Sequence, residues 1–334
     1  MNDAVIVDLE EARRFVARAL ERHDTSQANA ASVARALVAA EADGQKGHGL
    51  SRLPSYAAQA ASGKVDGRAE PKVVHEAAAA LRIDAACGFA FPAMDLAIDR
   101  VAERARSAGI AAAAVFRSHH FGRAGYHVEQ LAGRGLVALA FGNSPRAIAP
   151  WGGKAGLFGT NPVAFAAPRA DDPALVIDLS LSKVARGRIM VAAAKGEAIE
   201  PGWALDAEGR PTTDAAAAMA GTMLPIGDAK GSALVMMVEV LAAALTGANF
   251  GYEASSFFDA DGEPPGVGQL LIGFDPDAFS GGAFCDRLES LIGAMLAQPG
   301  VRLPGTRRLE ARAKSAAQGI ALPRELLDRF SGPA

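Results

Sequence analysis

Hydrophobic positions recur with the period of an α-helix in the first part of the chain. From Leu9, apolar residues at i+3, i+4 and i+7 spacing lie opposite charged ones, which predicts an amphipathic helix. A second helix is predicted from a cap near Ser26 to Asp43, and a third around Tyr56 after a short polar joint. The chain is therefore expected to begin with a helical part.

The middle of the chain alternates helical segments with short, continuous apolar runs. These runs are too short for helices and are flanked by Gly or Pro, so we predict that they are buried strands. The predicted strands cover residues 81–83, 110–116, 136–141, 163–167, 174–179 and 269–275. Helices are predicted between Pro92 and Gly109, as a long buried element from Ser232 to Leu245, and again from Phe284. A mixed α/β or α+β fold follows from this alternation.

The composition is that of a globular protein in a reducing compartment. The 334 residues are 50% hydrophobic and 21% charged, which is enough for a sizeable core. The 34 Lys and Arg nearly balance the 37 Asp and Glu, so we expect no sequence-independent binding to nucleic acid or to anionic membranes. Cys87 and Cys285 are far apart and are predicted to be free thiols. The apolar run from Ser232 is shorter than the ~20 residues of a membrane span, and the N-terminus lacks a signal-peptide pattern, so a cytoplasmic location is expected.

The common cofactor and hydrolase motifs are absent from the sequence. Gly133-Arg134-Gly135 lacks the third glycine of G-x-G-x-x-G, and Gly227 to Gly231 does not have the spacing of a Walker A loop. Neither H-E-x-x-H nor G-x-S-x-G occurs. A Rossmann-type dinucleotide-binding unit is therefore not supported.

His48 and Arg52 lie four residues apart in the segment Gly47-His48-Gly49-Leu50-Ser51-Arg52. If helical geometry continues there, the imidazole and the guanidinium share one face. A general acid beside a clamp for a carboxylate would use this pair. The alternative is that His48 is an ordinary polar residue at a helix end.

Two further polar clusters flank predicted strands. Ser118-His119-His120-Phe121-Gly122 comes directly after a strand, where open sheets present ligand sites, although ordinary polar residues also occur there. A metal site with His127 as a third ligand is disfavoured, because no acidic or thiol ligand lies nearby. Leu157 to Pro162 places Thr160 and Asn161 in a glycine-rich turn, which fits an ordinary loop as well as a binding loop.

Lys230 precedes an apolar helix, so a cation lies at the positive end of the helix dipole. A bound phosphate would remove this conflict and would use the free N–H groups of the first turn. A lysine that simply extends into solvent is the alternative.

Five segments, in one order over nearly the whole chain, resemble the malate/L-lactate dehydrogenase-like oxidoreductases, a family unrelated to the Rossmann-fold lactate dehydrogenases. The segments are His48 to Pro54, Ser118 to Gly122, Ala149 to Gly153, Leu157 to Pro162 and Leu224 to Gly231. Lys230 to Phe250 and Arg302 to Arg308 are similar to the branch of the family that reduces cyclic imino acids with NADPH. That branch comprises the Δ1-piperideine-2-carboxylate/Δ1-pyrroline-2-carboxylate reductases.

The resemblance implies a mixed α/β fold, with a largely antiparallel sheet in a non-Rossmann NAD(P)-binding domain, plus a helical domain. Residues 1–117 are expected to form the helical N-terminal part of a substrate and dimerisation domain, and residues 118–300 the NADP-binding domain. Residues 301–334 are expected to return to the N-terminal domain and to contribute to the cofactor site. A homodimer is also implied.

The same resemblance assigns roles to individual residues. It implies that His48 is the proton donor, that Arg52 contacts the substrate carboxylate, that Thr160 helps to hold the substrate, and that no metal takes part. Cofactor contacts are implied for His120, Phe121, Gly122, Arg123, Ala124, Asp178, Leu179, Ser180, Lys230, Thr306, Arg307, Arg308 and Arg312. Arg307 and Arg308 suit the 2′-phosphate of NADPH, because guanidinium groups bind phosphate bidentately, and NADH is the second cofactor considered.

The expected activity is the reduction of Δ1-pyrroline-2-carboxylate to L-proline, of Δ1-piperideine-2-carboxylate to L-pipecolate, or of both. Relatives in this branch often carry Ser before the histidine and an Asp that supports it, whereas this chain has Gly47 and Arg188 at those positions. Two alternatives stay open. One is an NAD-dependent 2-hydroxy-acid dehydrogenase of the same family, acting on malate, lactate or ureidoglycolate. The other is a cofactor-binding paralogue without catalysis.

Overall fold

A seven-stranded sheet forms the centre of the molecule, whose computed structural model describes residues 4–332. The strands, in chain order, are β1 (Ala4–Val7), β2 (Lys72–Glu76), β3 (Ala80–Asp84), β4 (Ile110–Ser118), β5 (Val137–Gly142), β6 (Val163–Ala167), β7 (Leu175–Leu179), β8 (Ala204–Leu205), β9 (Pro211–Thr212), β10 (Thr222–Met223), β11 (Val267–Phe274) and β12 (Ile320–Pro323). The order in the central sheet is β2-β3-β4-β11-β5-β6-β7. Within that sheet β3 and β4 pair in parallel and the other neighbours are antiparallel. The expected mixed α/β fold with a largely antiparallel sheet is confirmed.

Helices surround this sheet and form a separate layer at the start of the chain. They are α1 (Leu9–Glu21), α2 (Gln27–Ala42), α3 (Leu53–Ala61), α4 (Ala90–Ala108), α5 (Ala124–Ala132), α6 (Arg186–Lys195), α7 (Ala215–Ala220), α8 (Asp228–Glu239), α9 (Pro276–Ser280), α10 (Phe284–Leu296), α11 (Thr306–Gln318) and α12 (Arg324–Phe330). Ser26 caps α2 by accepting a hydrogen bond from the backbone N–H of Asn29, which is the N-terminal signal that the sequence shows. Gly109 ends α4 with a positive φ of 80°, a backbone conformation that glycine adopts without strain.

The two faces of the sheet pack against different helices. On one face lie α4 and α5, and on the other α8 and the π-helical turn Val240–Ala244 that continues it. The strands facing α4 and α5 carry small, fully buried side chains, which are Ala111, Ala113, Ala138, Ala140, Ala164 and Ala166. Because these side chains are short, the helices can lie close to the sheet.

The C-terminal segment lies against the N-terminal helices. Strand β12 pairs antiparallel with β1, and α12 contributes Phe330 to the hydrophobic core of α1, α2 and α3. Strands β2, β3 and β4 precede residue 118 and nevertheless belong to the central sheet. The boundaries of the three expected domains stay predictions.

The helix expected from Ser232 to Leu245 forms, but the prediction that it is buried throughout is wrong. Val238 is fully buried against the sheet, whereas Leu234 is 43% exposed and Leu245 is 63% exposed. Only one face of this helix contacts the sheet, so its apolar residues on the other face remain accessible. In the described part of the chain, no helix combines the length and the apolar character that crossing a membrane requires.

Candidate active site

His48 and Arg52 lie on two consecutive 3-10 turns, Lys46–His48 and Leu50–Arg52, between α2 and α3. Gly49 separates the turns, and a Cβ atom there would collide with Glu41, whose carboxylate accepts a hydrogen bond of 3.0 Å from the N–H of Leu50. Arg52 turns back towards His48, since its Nε donates to the carbonyl of Gly47 at 2.7 Å. The segment is therefore not a continuous helix, but it still brings the two side chains together.

His48 is neutral at physiological pH in this arrangement. Burial lowers the pKa of His48 to about 4, with further lowering by the positive charges of Arg52 and Arg123. Its Nδ1 is buried and has no hydrogen-bond partner among the described residues. Arg188 does not take the place of a supporting residue, because it is exposed and its guanidinium lies 4.6 Å from the centre of the Trp203 ring. The imidazole is thus held by packing instead of by a carboxylate.

Arg52 keeps hydrogen-bonding capacity for a ligand. Its guanidinium carbon lies 4.6 Å from the centre of the Phe258 ring, so one face of the cation is covered by an aromatic side chain. Its NH1 group is buried and unpartnered among the described residues. An unpaired, partly desolvated guanidinium edge is suited to a carboxylate, which would accept two parallel hydrogen bonds from it.

Two histidines that follow β4 have fixed hydrogen-bonding roles. The hydroxyl of Tyr56 lies 2.5 Å from Nδ1 of His120, and burial raises the pKa of that phenol. Because the buried hydroxyl has this single partner, we assign it as the donor, which leaves the proton of His120 on Nε2. Likewise His119 donates from Nε2 to Oε1 of Gln59 at 2.7 Å, since the amide nitrogen of Gln59 donates to the Asp259 carbonyl at 3.0 Å.

The histidines do not form a metal centre in the described structure. No three His, Cys, Asp or Glu side chains between residues 4 and 332 are arranged to hold a metal ion. His127, the third ligand considered from the sequence, donates from Nε2 to the carbonyl of Phe121 at 2.8 Å. Burial lowers the pKa of His127 to about 4, so it is a neutral core residue.

The loop that carries Phe258 is anchored by Lys64. This buried ammonium donates to the carbonyls of Ser256, Asp259 and Asp261 at 2.8 to 2.9 Å. Phe257 of the same loop packs against His119 and His120, with ring centres 5.3 and 5.1 Å away. Sequence reasoning did not identify these loop contacts, because Lys64 and the loop are almost 200 residues apart. A lysine directly before an apolar valine was the only local signal.

Thr160 lies in the loop between β5 and β6, where its backbone N–H donates to Oγ of Ser144 at 3.1 Å. Its hydroxyl is 3.5 Å from the same oxygen. Asn161 follows with a positive φ of 38° and a fully buried side chain. The glycine-rich turn seen in the sequence is therefore an ordered loop, whose side-chain amide is used internally.

Several residues expected to contact the cofactor converge on the N-terminus of α5. The segment His120–Arg123 leads into this helix, and Asp178 at the end of β7 accepts a hydrogen bond of 2.8 Å from the N–H of Gly125. A Cβ atom on Gly125 would lie 2.8 Å from that carboxylate, so the close approach requires glycine. Phe121 is buried, whereas Leu179 and Ser180 are exposed beside the strand end.

The N-terminus of α11 lies beside this strand and this helix. Thr306 begins α11, and a Cβ on the preceding Gly305 would be 3.4 Å from the Val176 carbonyl of β7. Arg307 is exposed, and no hydrogen bond or ion pair involves it among residues 4–332. Lys230 is exposed in the first turn of α8, which begins at Asp228, so the expectation that this lysine precedes the helix is wrong.

Three arginines and two carboxylates form an ion-pair network near His48, and all but Arg312, whose side chain is 38% exposed, are largely buried. Arg123 lies 2.8 Å from Asp43, Arg308 lies 2.9 Å from Glu129, and Arg312 contacts both carboxylates at 2.7 to 2.9 Å. Burial acts to raise the pKa of Glu129, but Arg312 and Arg308 outweigh it and hold that pKa at about 2. Nε and NH1 of Arg123 and NH2 of Arg308 have no partner in the described residues. These free N–H groups fit an anion such as a cofactor phosphate.

Comparison with known proteins identifies relatives along almost the whole chain. The sequence profile of the malate/L-lactate dehydrogenase family matches residues 7–331. The chain is 53% identical over 325 residues to the (2R)-3-sulfolactate dehydrogenase (NADP(+)) of Chromohalobacter salexigens, with 97% of both chains covered. It is 42% identical over 328 residues to the Δ1-pyrroline-2-carboxylate/Δ1-piperideine-2-carboxylate reductase of Pseudomonas putida, covering 97% of this chain and 95% of the relative. The crystal structure of Δ1-piperideine-2-carboxylate reductase from Pseudomonas syringae pv. tomato matches with a TM-score of 0.92 and 41% identity, covering 98% of each chain.

Proposed function

Since the chain belongs to the malate/L-lactate dehydrogenase family, we propose that it interconverts a 2-hydroxy acid that bears a second acid group with the corresponding 2-oxo acid. It is an oxidoreductase that uses NADP(H), the cofactor named for the sulfolactate dehydrogenase of Chromohalobacter salexigens. The first candidate pair is 3-sulfolactate and 3-sulfopyruvate. The reaction class is supported by one arrangement, in which the unpaired guanidinium edge of Arg52 lies beside the neutral imidazole of His48.

Arg52 would bind the carboxylate at C1 and so fix the position of C2. When bound, NADP(H) accepts or supplies the hydride at C2. In the oxidation direction, the neutral His48 takes the proton of the 2-hydroxyl group as general base. In the reduction direction, the carboxylate of the bound substrate offsets the positive charge of Arg52. This positive charge is one of the causes that lower the pKa of His48. Binding the anionic substrate thus favours a protonated His48 that can act as general acid.

The choice of a sulfonated hydroxy acid is supported by the 53% identity to a sulfolactate dehydrogenase over 97% of both chains. This identity is higher than the 42% to the imino acid reductase of Pseudomonas putida. Gly47 and Arg188 also depart from the residues expected in the imino acid branch. The sulfonated hydroxy acid is therefore the first candidate substrate and the cyclic imino acid the second, whereas the sequence motifs favour the imino acid.

Reduction of a cyclic imino acid is the second candidate, and the match at TM-score 0.92 supports it. A protonated cyclic imine already carries the proton on nitrogen, and no oxyanion forms when hydride adds to its carbon. Proton transfer by His48 then contributes less to the reaction, which agrees with the absence of a hydrogen-bond partner for its Nδ1 in the described structure. Arg52 would hold the 2-carboxylate in the same way.

Oxidation of NADPH, followed by its absorbance, distinguishes these functions. The purified protein is assayed side by side with 3-sulfopyruvate, Δ1-pyrroline-2-carboxylate, Δ1-piperideine-2-carboxylate, pyruvate and oxaloacetate, and with NADH in place of NADPH. We expect the highest kcat/KM on 3-sulfopyruvate with NADPH. A preference for either cyclic imine would establish the second candidate. A preference for pyruvate or oxaloacetate would instead indicate a lactate or malate dehydrogenase. Tight NADPH binding without turnover on any of them would establish the non-catalytic paralogue.

We further infer that the protein is a homodimer that pairs through the exposed face of α8. Leu234, Met236, Met237, Val240 and Leu245 form this face, and each is between 42% and 63% exposed. A contiguous apolar surface of this kind is typical of a protein interface. Light scattering should give the mass of a dimer, and Met237→Glu should shift it to a monomer while Val74→Glu, at an exposed valine of β2, does not. A monomeric wild-type protein would contradict the inference.

Both free cysteines, Cys87 and Cys285, agree with a cytoplasmic location, which stays a prediction.

A further inference from the structure

Glu239 is a buried carboxylate at the end of α8, immediately before the π-helical turn. Its Oε1 accepts hydrogen bonds from Nδ2 of Asn143 at 3.1 Å and from the N–H of Gly251 at 2.7 Å. Its Oε2 accepts one from Nδ2 of Asn161 at 2.8 Å. Three segments that are distant in sequence therefore meet at one carboxylate, which has no Lys or Arg ion-pair partner among the described residues.

The amide partners of Glu239 are themselves fixed. Asn161 also donates from Nδ2 to the Val235 carbonyl at 3.0 Å, so both acceptors face its nitrogen. Asn143 accepts from the N–H of Gly268 at 2.9 Å through its oxygen, which again determines the orientation of the amide. All three groups that contact Glu239 are hydrogen-bond donors, and a carboxylate is the side-chain group that only accepts.

This cluster directly supports the loop that carries Thr160. Asn161 is the next residue along the chain, and its φ of 38° sets the direction in which the loop enters β6. Ser144, the next residue after Asn143, accepts the hydrogen bond from the N–H of Thr160. Asn161, which follows Thr160, and Asn143, which precedes Ser144, thus both donate to the same carboxylate.

We propose that Glu239 is a positioning residue for the substrate, which it places by holding Thr160 through Asn161 and Asn143. The inference rests on the proposed function, in that it takes Thr160 as a substrate contact. A turn of π-helix directly after Glu239 agrees with such a role, since π-turns inside helices are frequent at functional sites. Glu239 itself does not touch the substrate.

The variant Glu239→Gln tests this role with minimal change of shape. Its amide nitrogen must replace one of the two oxygens, and it then faces either Asn161 alone or both Asn143 and Gly251. The first orientation loses fewer hydrogen bonds, so the contact to the Thr160 loop is the one expected to break. A displacement of about 1 Å at a substrate contact can lower the rate about 100-fold. We expect kcat/KM to fall by about that factor while the dissociation constant of NADPH stays within twofold.

A double-mutant cycle with Thr160→Val separates positioning from general destabilisation. If Glu239 acts through Thr160, Glu239→Gln should lower kcat/KM much less in the Thr160→Val background than in the wild type. Equal losses in both backgrounds, or a parallel loss of NADPH affinity, would overturn the proposal. Glu253→Gln is the matched control, because Glu253 is an exposed carboxylate of the neighbouring turn that accepts one backbone hydrogen bond from Phe250. Its kcat/KM should equal that of the wild type.

Two further measurements keep the test decisive. Should Glu239→Gln fail to fold, Asn161→Gly breaks the same contact from the loop side and tolerates the positive φ, so it should reproduce the loss of kcat/KM. If the wild type turns over none of the substrates, the proposed function has failed, and the crystal structure of Glu239→Gln decides the inference by itself. A shifted Thr160 loop would support the inference, and an unmoved loop would refute it.

Discussion

The imidazole rings of His48 and His120 are stacked, with their centres 5.4 Å apart and their planes at 15°. The hydroxyl of Tyr56 fixes the ring of His120 through its Nδ1, so the plane on which His48 packs is itself held in place. This contact explains how His48 can be oriented although its Nδ1 has no hydrogen-bond partner among the described residues. Packing and one neighbouring hydroxyl do here what a supporting carboxylate does in other histidine-dependent sites.

Replacing the imidazole of His48 is expected to remove proton transfer and to preserve cofactor binding. His48→Ala should lower turnover at least about 100-fold, the usual contribution of a positioned acid or base. The dissociation constant of NADPH, measured by fluorescence titration, should stay close to that of the wild type. Unchanged turnover would exclude His48 from the mechanism.

The buried histidines should make stability depend on pH between about 4 and 6.5. Burial lowers the pKa of His119 to about 3 and those of His48 and His127 to about 4, so the folded pKa lies below the unfolded one. Between these values the unfolded chain binds more protons, and the free energy of unfolding therefore falls as pH falls below 6.5. Each histidine contributes up to about 1.4 kcal/mol per pH unit in this range, which urea unfolding at a series of pH values would measure.

A single-histidine variant isolates this effect from the carboxylates whose pKa is raised in the folded protein. Burial raises the pKa of Asp95 and Asp178, and these groups change stability in the opposite direction. Removing one buried histidine in His127→Phe should reduce the pH slope by up to about 1.4 kcal/mol per unit, whatever its effect on absolute stability. His75→Gln, at an exposed position, should leave the slope unchanged. Equal slopes for His127→Phe and the wild type would contradict the prediction.

Arg307 and Arg308 are expected to respond differently to substitution although they are adjacent. Arg307 is exposed without a partner in the described structure, so Arg307→Ala should weaken NADPH about tenfold and leave NADH binding unchanged, as loss of a phosphate contact would. Arg308 is buried and paired with Glu129, so Arg308→Ala should also lower the free energy of unfolding, by about 3 kcal/mol. Equal losses of NADPH and NADH affinity in Arg307→Ala would show that it does not contact the 2′-phosphate.

Lys64 is expected to stabilise the loop over the site. Lys64→Met leaves three loop carbonyls without their donor and should lower the free energy of unfolding by about 2 kcal/mol or more. The substrate KM should rise as well, because Phe258 of this loop covers Arg52. Lys72→Met, at an exposed lysine of β2, is the matched control. Loss of stability without any change in KM would show that the loop is not part of the substrate site.

The local elements and the chemistry of the main motifs can be predicted from the amino-acid sequence alone. The helix from Leu9 to Glu21, the strand from Ile110 and the strand from Val163 follow from periodicity, capping and short apolar runs, because these signals act between neighbours along the chain. The five segments that resemble the family could be recognised for the same reason, since the residues within each segment are consecutive. The sequence did not show that one face of α8 is exposed, because apolar composition does not reveal which side contacts the sheet.

The groups that meet although they are distant in sequence become known from the folded chain. Asp43 and Arg312 are 269 residues apart and share two hydrogen bonds. Lys64 donates to a loop almost 200 residues away, and Glu239 accepts hydrogen bonds from three segments. Such contacts depend on how the helices and the sheet pack, and no local pattern encodes a partner at that separation. A buried charge marks the position where a partner must exist, since leaving it unpaired would be costly, but the folded chain determines which residue that partner is.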